Sequence, residues 1–413
     1  VLEITKTQNS GNSETSEQKA GAIYIHIPFC KQACFYCDFH FSTSLKKKDE
    51  LIQCLVKELE LRTSKFDAIT VETIYFGGGT PSLLSTEEIQ LLIDTVYNNY
   101  KVVDNPEITL EANPDDLSTE VILQLAKSPI NRLSIGIQSF FEDDLKSMNR
   151  AHNKEEALRC LEEATKYFDN ITIDLIYGIP NMSLQKWNEN LEIALNFGIN
   201  HISSYALTVE PKTALDTFVK NGSYPPIDEA LALEHFNHLV EKTEANGFVH
   251  YEISNFGKPN YFSKHNTSYW QGKPYLGIGP SAHSFYGNER SWHVANNTKY
   301  IQAIQKNELP KTAETLSKED QFNEYVMTGL RTIWGVSFNR VQAEFGDVFL
   351  QHLKKYSDKF IKEDLLVISN KKEQMSQSKL DTDLKSNASS QILKTTQKGK
   401  FLVDGIASEL FMI

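Results

Sequence analysis

Cysteine is scarce in this 413-residue chain and odd in number: there are five, and three of them crowd together as Cys30, Cys34 and Cys37. A disulfide scaffold uses an even, dispersed set in a small secreted chain, so that class does not fit. Long apolar runs are also missing; none approaches the ~20 residues that a membrane-spanning helix needs. An excess of basic residues is absent as well, with 42 Lys+Arg against 54 Asp+Glu and a formal net charge of −12. That field repels phosphate backbones and anionic headgroups, so broad nucleic-acid or membrane-surface binding is not expected. Residues 1–20 are polar and show no charged-then-apolar leader. They are read as a loose tail on a soluble protein that works in the cytoplasm.

What is present is a rhythm. Ala22–Ile27, Val71–Phe76, Glu107–Glu111, Arg132–Ile137, Ile171–Ile176 and His201–Ala206 read as strands. Between them lie segments with helical apolar spacing, such as Thr86–Tyr97 with Ser85 or Thr86 as its N-cap. Six strand–helix steps imply right-handed βαβ units around a parallel sheet. Too few residues alternate for a full eight-fold barrel. The expected fold is therefore α/β, a partial (β/α)6 TIM-like barrel over residues 21–250. Residues 251–317 should pack on it as a loop-rich region, with Asn255–Trp292 full of Gly, Pro and aromatics. Residues 318–413 should form a smaller winged-helix-like domain of helices and two wing strands, near Leu365–Val367 and Gly399–Val403. Its polar segment 370–397 is expected to be a disordered insertion.

The cysteine loop carries the chemistry. Its C-x3-C-x2-C spacing directly follows the first strand, and such a loop can give three thiolates to one [4Fe–4S] cluster. The fourth iron is then left open for a ligand. Phe29, Phe35, Tyr36, Phe39 and Phe41 offer apolar cover for the sulfurs. Structural zinc, completed by His26 or His40, is the competing reading, although no second cysteine pair exists. Cys54 and Cys160 fall on apolar helix faces and read as core. Gly77–Pro81 ends the second strand on the same rim, where backbone amides can approach a ligand closely. Glu111, Gln138 and Asp174 end later strands there. Each alone could be an ordinary loop or cap residue.

Taken together, Y-I-H-I-P-F-C-x3-C-x2-C, F-G-G-G-T-P, E-A-N-P, S-I-G-I-Q-S-F and D-L-I-Y-G-I-P resemble the radical S-adenosylmethionine (SAM) enzymes, and within them the oxygen-independent coproporphyrinogen III oxidase group. The resemblance runs from about Tyr24 to Phe285 and more weakly beyond. It implies that Cys30, Cys34 and Cys37 hold the cluster and that SAM binds its open iron, to be cleaved to methionine and a 5′-deoxyadenosyl radical. It further implies that SAM lies against Tyr24, Tyr36, Gly78, Gly79, Thr80, Glu111, Gln138, Arg150, Asp174 and Ala206. Arg150 has an alternative reading as a solvated charge.

Two departures separate the chain from the true oxidases. Those carry a further cysteine two residues after the third, where this chain has Phe39, and a substantial ordered segment before the first strand. Both differences resemble the HemW branch of haem chaperones, as does the run His265-Asn266-Thr267-Ser268-Tyr269-Trp270. That resemblance implies haem at His265, beside Tyr269 and Trp270, whereas a lone histidine among aromatics is otherwise a packed core residue. His250, His283 and His293 are reserve candidates, and Gly277–His283 reads as a turn closing the site. The expected partners are haem or porphyrin, a haem-accepting protein, potentially one met transiently at a membrane, and an electron donor. No nucleic acid is expected. The alternative activity is decarboxylation of coproporphyrinogen III propionates to vinyl groups. RNA modification, a third radical-SAM activity, is disfavoured by the net charge.

Overall fold

The computed structural model describes residues 19–370 and 391–413. Its centre is β1 (Lys19–Ile27), β2 (Ile69–Gly78), β3 (Lys101–Ala112), β4 (Arg132–Gln138), β5 (Ile171–Tyr177) and β6 (His201–Ala206). Each pairs in parallel with the next, so the six-unit barrel expectation holds. Helices Lys48–Leu61, Thr86–Asn99, Thr119–Leu125, Lys154–Ala164 and Leu184–Asn196 run between the strands. Strand periodicity sorts the faces. Ile23, Ile25 and Ile27 share a buried cluster with Leu51, Leu55 and Leu92 of the outer helices, leaving Tyr24 and His26 for the opposite face. The second helix starts where the sequence suggests: Ser85 and Glu88 form a reciprocal capping box. Cys54 and Cys160 are buried, as their helix faces imply.

The sheet does not stop at six strands. β7 (Val249–Glu252) and β8 (Asn255–Gly257) continue it antiparallel beyond β6. Beyond β1 come β9 (Tyr275–Ile278), β10 (His283–Tyr286), β11 (Glu289–His293) and β12 (Lys311–Thr315), completing a twelve-stranded sheet. The region 251–317, expected as loops, thus supplies five strands and the helices Lys264–Trp270 and Asn297–Gln305. A buried network anchors this extension. Glu58 accepts from the Gly279 amide (2.9 Å), the Tyr300 hydroxyl (2.5 Å) and the Arg62 guanidinium (3.0 Å). The Gly277–His283 turn is therefore pinned to a core helix.

The C-terminal region has its own core of Phe322, Val326, Leu353, Leu393 and Ile406. Helices Lys318–Leu330, Phe338–Glu344 and Asp347–Lys362 surround a small sheet of β13 (Val336–Ser337), β14 (Leu366–Asn370) and β15 (Gln391–Thr395), with β15 central. Two expectations fail here. The second wing strand is not 399–403, which forms a 3-10 turn leading into helix Val403–Glu409. Val403, Ile406, Ala407 and Leu410 recur at helical spacing and are buried, and that decides its form. The insertion is also shorter than 370–397, because Asn370 and Gln391–Thr395 belong to strands; residues 371–390 lie outside the described residues, as do 1–18 of the expected tail. No described helix is long and apolar enough to cross a membrane.

Candidate cluster and ligand site

The cysteine loop leaves the end of β1 and is stitched to the barrel rim along its length. The Cys30 amide donates to the Ser42 carbonyl (3.1 Å), Phe35 N–H to the Met148 carbonyl (3.2 Å), and Leu215 N–H to the Phe35 carbonyl (2.8 Å). Asn149 Nδ2 reaches the Ala33 carbonyl (2.7 Å), and Lys31 pairs with Asp115 and Asp116. All three thiols are free and half-buried. Burial pushes the Cys37 thiol up to about 11 and raises Cys30, against the lowering effect of a Thr80 hydrogen bond on Cys30. Among the described residues no three Cys, His, Asp or Glu side chains converge on one point, as a mononuclear zinc site requires. A cuboidal cluster takes each thiolate on a different iron, so its sulfurs stand further apart. The apolar cover is only partial: Phe29 is buried, but Phe39 points outward at 67% exposure.

Beneath the loop, the glycines of β2 make room for it. Gly79 donates its amide to the Ile27 carbonyl (2.9 Å), and a Cβ there would stand 2.6 Å from the Phe29 carbonyl oxygen. Gly78 has φ +110°, and its missing Cβ would meet the His26 ring at 2.5 Å. Thr80 N–H donates to the Phe29 carbonyl (2.7 Å), and its hydroxyl accepts from Asn113 (3.2 Å). His26 is ordered from both sides. Its Nε2–H donates to the His40 carbonyl (3.0 Å), which leaves Nδ1 to accept from the Tyr24 hydroxyl (3.1 Å). Burial holds that imidazole down at about 4, hence neutral.

Arg150 is no solvated charge. Its guanidinium donates to Asn113 Oδ1 (2.7 Å) and the Gly136 carbonyl (2.9 Å). A second arm lies 3.4 Å from Cys34 Sγ and 3.3 Å from the Tyr36 hydroxyl. Glu111 accepts from the Tyr75 hydroxyl (2.7 Å) and the Gly78 amide (3.2 Å). Burial raises Glu111 to about 7 and Asp174 to about 6; the Asp174 charge adds to the rise at Glu111. Gln138 closes β4 in a left-handed conformation, φ 64°, which is costly for a residue with a side chain and characteristic of functional rims. Ala206 ends β6, paired with Tyr177. Gly78, Glu111, Gln138 and Ala206 thus lie at strand ends near the thiols, whereas Asp174, expected to end its strand, sits at the middle of β5, and Tyr24 lies within β1. Tyr75 and Asn113 are additions. Tyr75 had a readable signal, since it precedes Gly77 by two and shares its face.

The histidine motif lies deeper than expected and is a helix rather than a loop. Ser263 caps Lys264–Trp270, and Glu107 accepts the amides of Lys264 (3.1 Å) and His265 (3.0 Å). Arg132 stands 3.8 Å from Glu107 as its buried counter-ion. His265 is 1% exposed, with Nδ1 on Thr73 Oγ1 (2.7 Å) and Nε2 on the Tyr269 hydroxyl (2.7 Å). Its ring stacks on Tyr75 at 4.7 Å, linking it through that phenol to Glu111. Burial, aided by Arg132, holds it down at about 3. Trp270 faces elsewhere, with the Arg331 guanidinium 5.4 Å over its ring. His293 is buried against the Gly279 carbonyl and Glu58, His250 against Lys400 and the Ile253 carbonyl, while His283 is exposed.

Comparisons with known proteins bear on the family and the fold. A model of the radical SAM superfamily matches residues 24–194, and one of the HemN C-terminal domain matches residues 316–378. The protein named Heme chaperone HemW in Bacillus subtilis is 36% identical over 329 residues, 79% of this chain and 87% of that relative. Its Escherichia coli namesake is 37% identical over 268 residues, 63% of this chain and 69% of the relative. Among solved structures, coproporphyrinogen III oxidase (HemN) of Escherichia coli superposes with a TM-score of 0.79 at 20% identity, covering 96% of this chain and 91% of that one. That likeness is one of fold.

Proposed function

The chain belongs to the HemW family of radical SAM proteins, and from that premise we propose that it is a haem chaperone, binding haem and passing it to an acceptor protein. The observation that carries this reading is the shared identity across most of the chain with relatives that bear that name. The exposed Phe39, standing where the resembled oxidases have a further cysteine, supports it. Family membership implies a [4Fe–4S] cluster and SAM, and the residues present fit both: three free thiols on one loop, and the buried carboxyls of Glu111 and Asp174 to receive polar groups.

In this reading Cys30, Cys34 and Cys37 hold the cluster, and Arg150 places a positive charge against Cys34. Gly78, Gly79 and Thr80 shape the floor. Glu111 and Asp174 receive the polar groups of SAM, with Tyr24, Tyr36, Gln138 and Ala206 around it. When bound, cluster and SAM together supply one-electron cleavage of a sulfonium bond. The protein's own part is to keep His26 and His265 neutral and to fix the Glu111 carboxylate through Tyr75 and Gly78.

Haem is cargo, and His265 is the residue that would ligate its iron in this proposal, with Tyr269 beside it and Trp270 at the far end of the same helix. A neutral imidazole is the form that ligates iron. Ligation requires a ring nitrogen to leave its hydroxyl partner, most directly Nε2 from Tyr269. The haem acceptor, a donor of electrons to the cluster and a cytoplasmic place of action complete the proposal. Absorbance titration of the reconstituted protein with haem tests it: a Soret band that His265→Ala abolishes is expected, and an unchanged affinity in that variant removes the assigned ligand.

A further inference from the structure

A cavity of about 240 Å³ lies between β7 and the C-terminal region, lined by His250, Glu252, Arg331, Lys394 and Lys400 among others. It is smaller than the ~300–1,000 Å³ that encloses a whole drug-sized ligand, so it suits the limb of a larger molecule or a small ion. Its charge is unbalanced. Arg331 pairs with Asp404, and Glu252 accepts from the Asn255 amide. Among the described residues neither Lys394 nor Lys400 forms a direct ion pair, although the charge of Glu244 acts on Lys400. Lys400 donates instead to His250 Nδ1 (2.8 Å), an acceptor because His250 Nε2–H is committed to the Ile253 carbonyl (3.1 Å).

An ammonium whose partner is a neutral imidazole is held in place without being neutralised. Burial lowers Lys400 to about 8, outweighing the opposing charge of Glu244, and burial also lowers Lys394. Arg331 adds an orphan: its Nε is buried with no hydrogen-bond partner. Such a group costs stability unless a ligand satisfies it. Arg331 also ties the cavity to the histidine helix, because its guanidinium lies over Trp270, five residues beyond His265.

The geometry points to an oxyanion receptor at Arg331, Lys394 and Lys400 that takes the propionate carboxylates of a porphyrin held at the histidine helix. This rests on the haem reading above. Two ammonium groups and a guanidinium outnumber the one carboxylate of the lining, Glu252, and so oppose propionates in sign, and a carboxylate limb satisfies the buried donor. Free phosphate shares the chemistry and is the alternative source.

The test uses the full-length protein, titrated with haem and with haem dimethyl ester, which keeps the macrocycle and iron but removes the propionate charges. Wild type is expected to bind haem about tenfold or more tightly than the ester, the scale of one or two charge-assisted hydrogen bonds. The pair Lys394→Met with Lys400→Met should abolish that preference, while Lys394→Arg with Lys400→Arg retains it. Equal binding of haem and ester by wild type, or a preference that survives the methionine pair, overturns the propionate assignment and leaves the haem reading standing. Absence of a Soret band with either porphyrin overturns both. If inorganic phosphate then raises the melting midpoint of wild type but not of the methionine pair, the cavity belongs to a free oxyanion.

Discussion

At the scale of single residues, burial decides protonation and glycine decides access. Glu111 titrates at about 7 in the fold against 4.5 in an open chain, chiefly through desolvation. Between those values the folded state holds the extra proton, so this contribution to stability is complete below pH 4.5 and is lost as pH rises through 7. The stability difference between wild type and Glu111→Gln should therefore fall on going from pH 5 to pH 8, by on the order of 2 kcal/mol. Titrations not coupled to Glu111 cancel in the difference, whereas Asp174, raised to about 6 and coupled to Glu111, shares in the change. Parallel denaturation curves at the two pH values would contradict the assigned burial. Gly79 gives a steric counterpart. Gly79→Ala sets a methyl against the Phe29 backbone, with backbone and no flexible side chain to yield. Destabilisation of about 1–3 kcal/mol is expected, together with reduced iron content after reconstitution, because Phe29 leads directly into Cys30. Full iron loading in a stably folded variant would show that the cradle is not needed.

At the scale of elements, the histidine helix shows how a weak local pattern is fixed by its surroundings. Lys264–Trp270 has seven residues and no apolar stripe, so the sequence suggests a loop. Its form comes from Ser263 at the N-cap and from Glu107 of β3, which accepts two of the first free amides. Glu107 also faces buried Arg132. Glu107→Ala leaves that guanidinium without its carboxylate, and a loss of about 3–5 kcal/mol in thermal or urea denaturation is expected; a loss under 1 kcal/mol would mean that the pair carries little. β9 to β11 were hidden for a related reason. They are four or five residues long and rich in Gly, Ser, His and aromatics, without clean alternation. β1 to β6 were legible because short apolar-bearing runs alternate at regular spacing with periodic helical segments.

At the scale of the whole molecule, the barrel rim was readable in chemistry and less so in depth. Spacing alone placed Cys30, Cys34 and Cys37 on one loop, and a strand end placed Glu111 near it, whereas Asp174, read as ending its strand, lies at the middle of β5 with its charge acting on Glu111. What spacing does not convey is layer. His265 lies beneath Tyr75, with both ring nitrogens occupied, and Trp270 turns toward Arg331 of the C-terminal region. Lys394 and Lys400 were invisible as a pair, because the fold alone brings them to β7. In the proposed reading the molecule couples a rim for cluster and SAM to a histidine helix whose far end meets a basic cavity. The most direct test is anaerobic reconstitution followed by incubation with reductant and SAM, in one arm with coproporphyrinogen III and in the other with haem. Porphyrins are followed by chromatography and haem by absorbance. The account predicts no vinyl-bearing product and a Soret band that depends on His265. Conversion of the propionates to vinyl groups would contradict it and make the protein an oxidase.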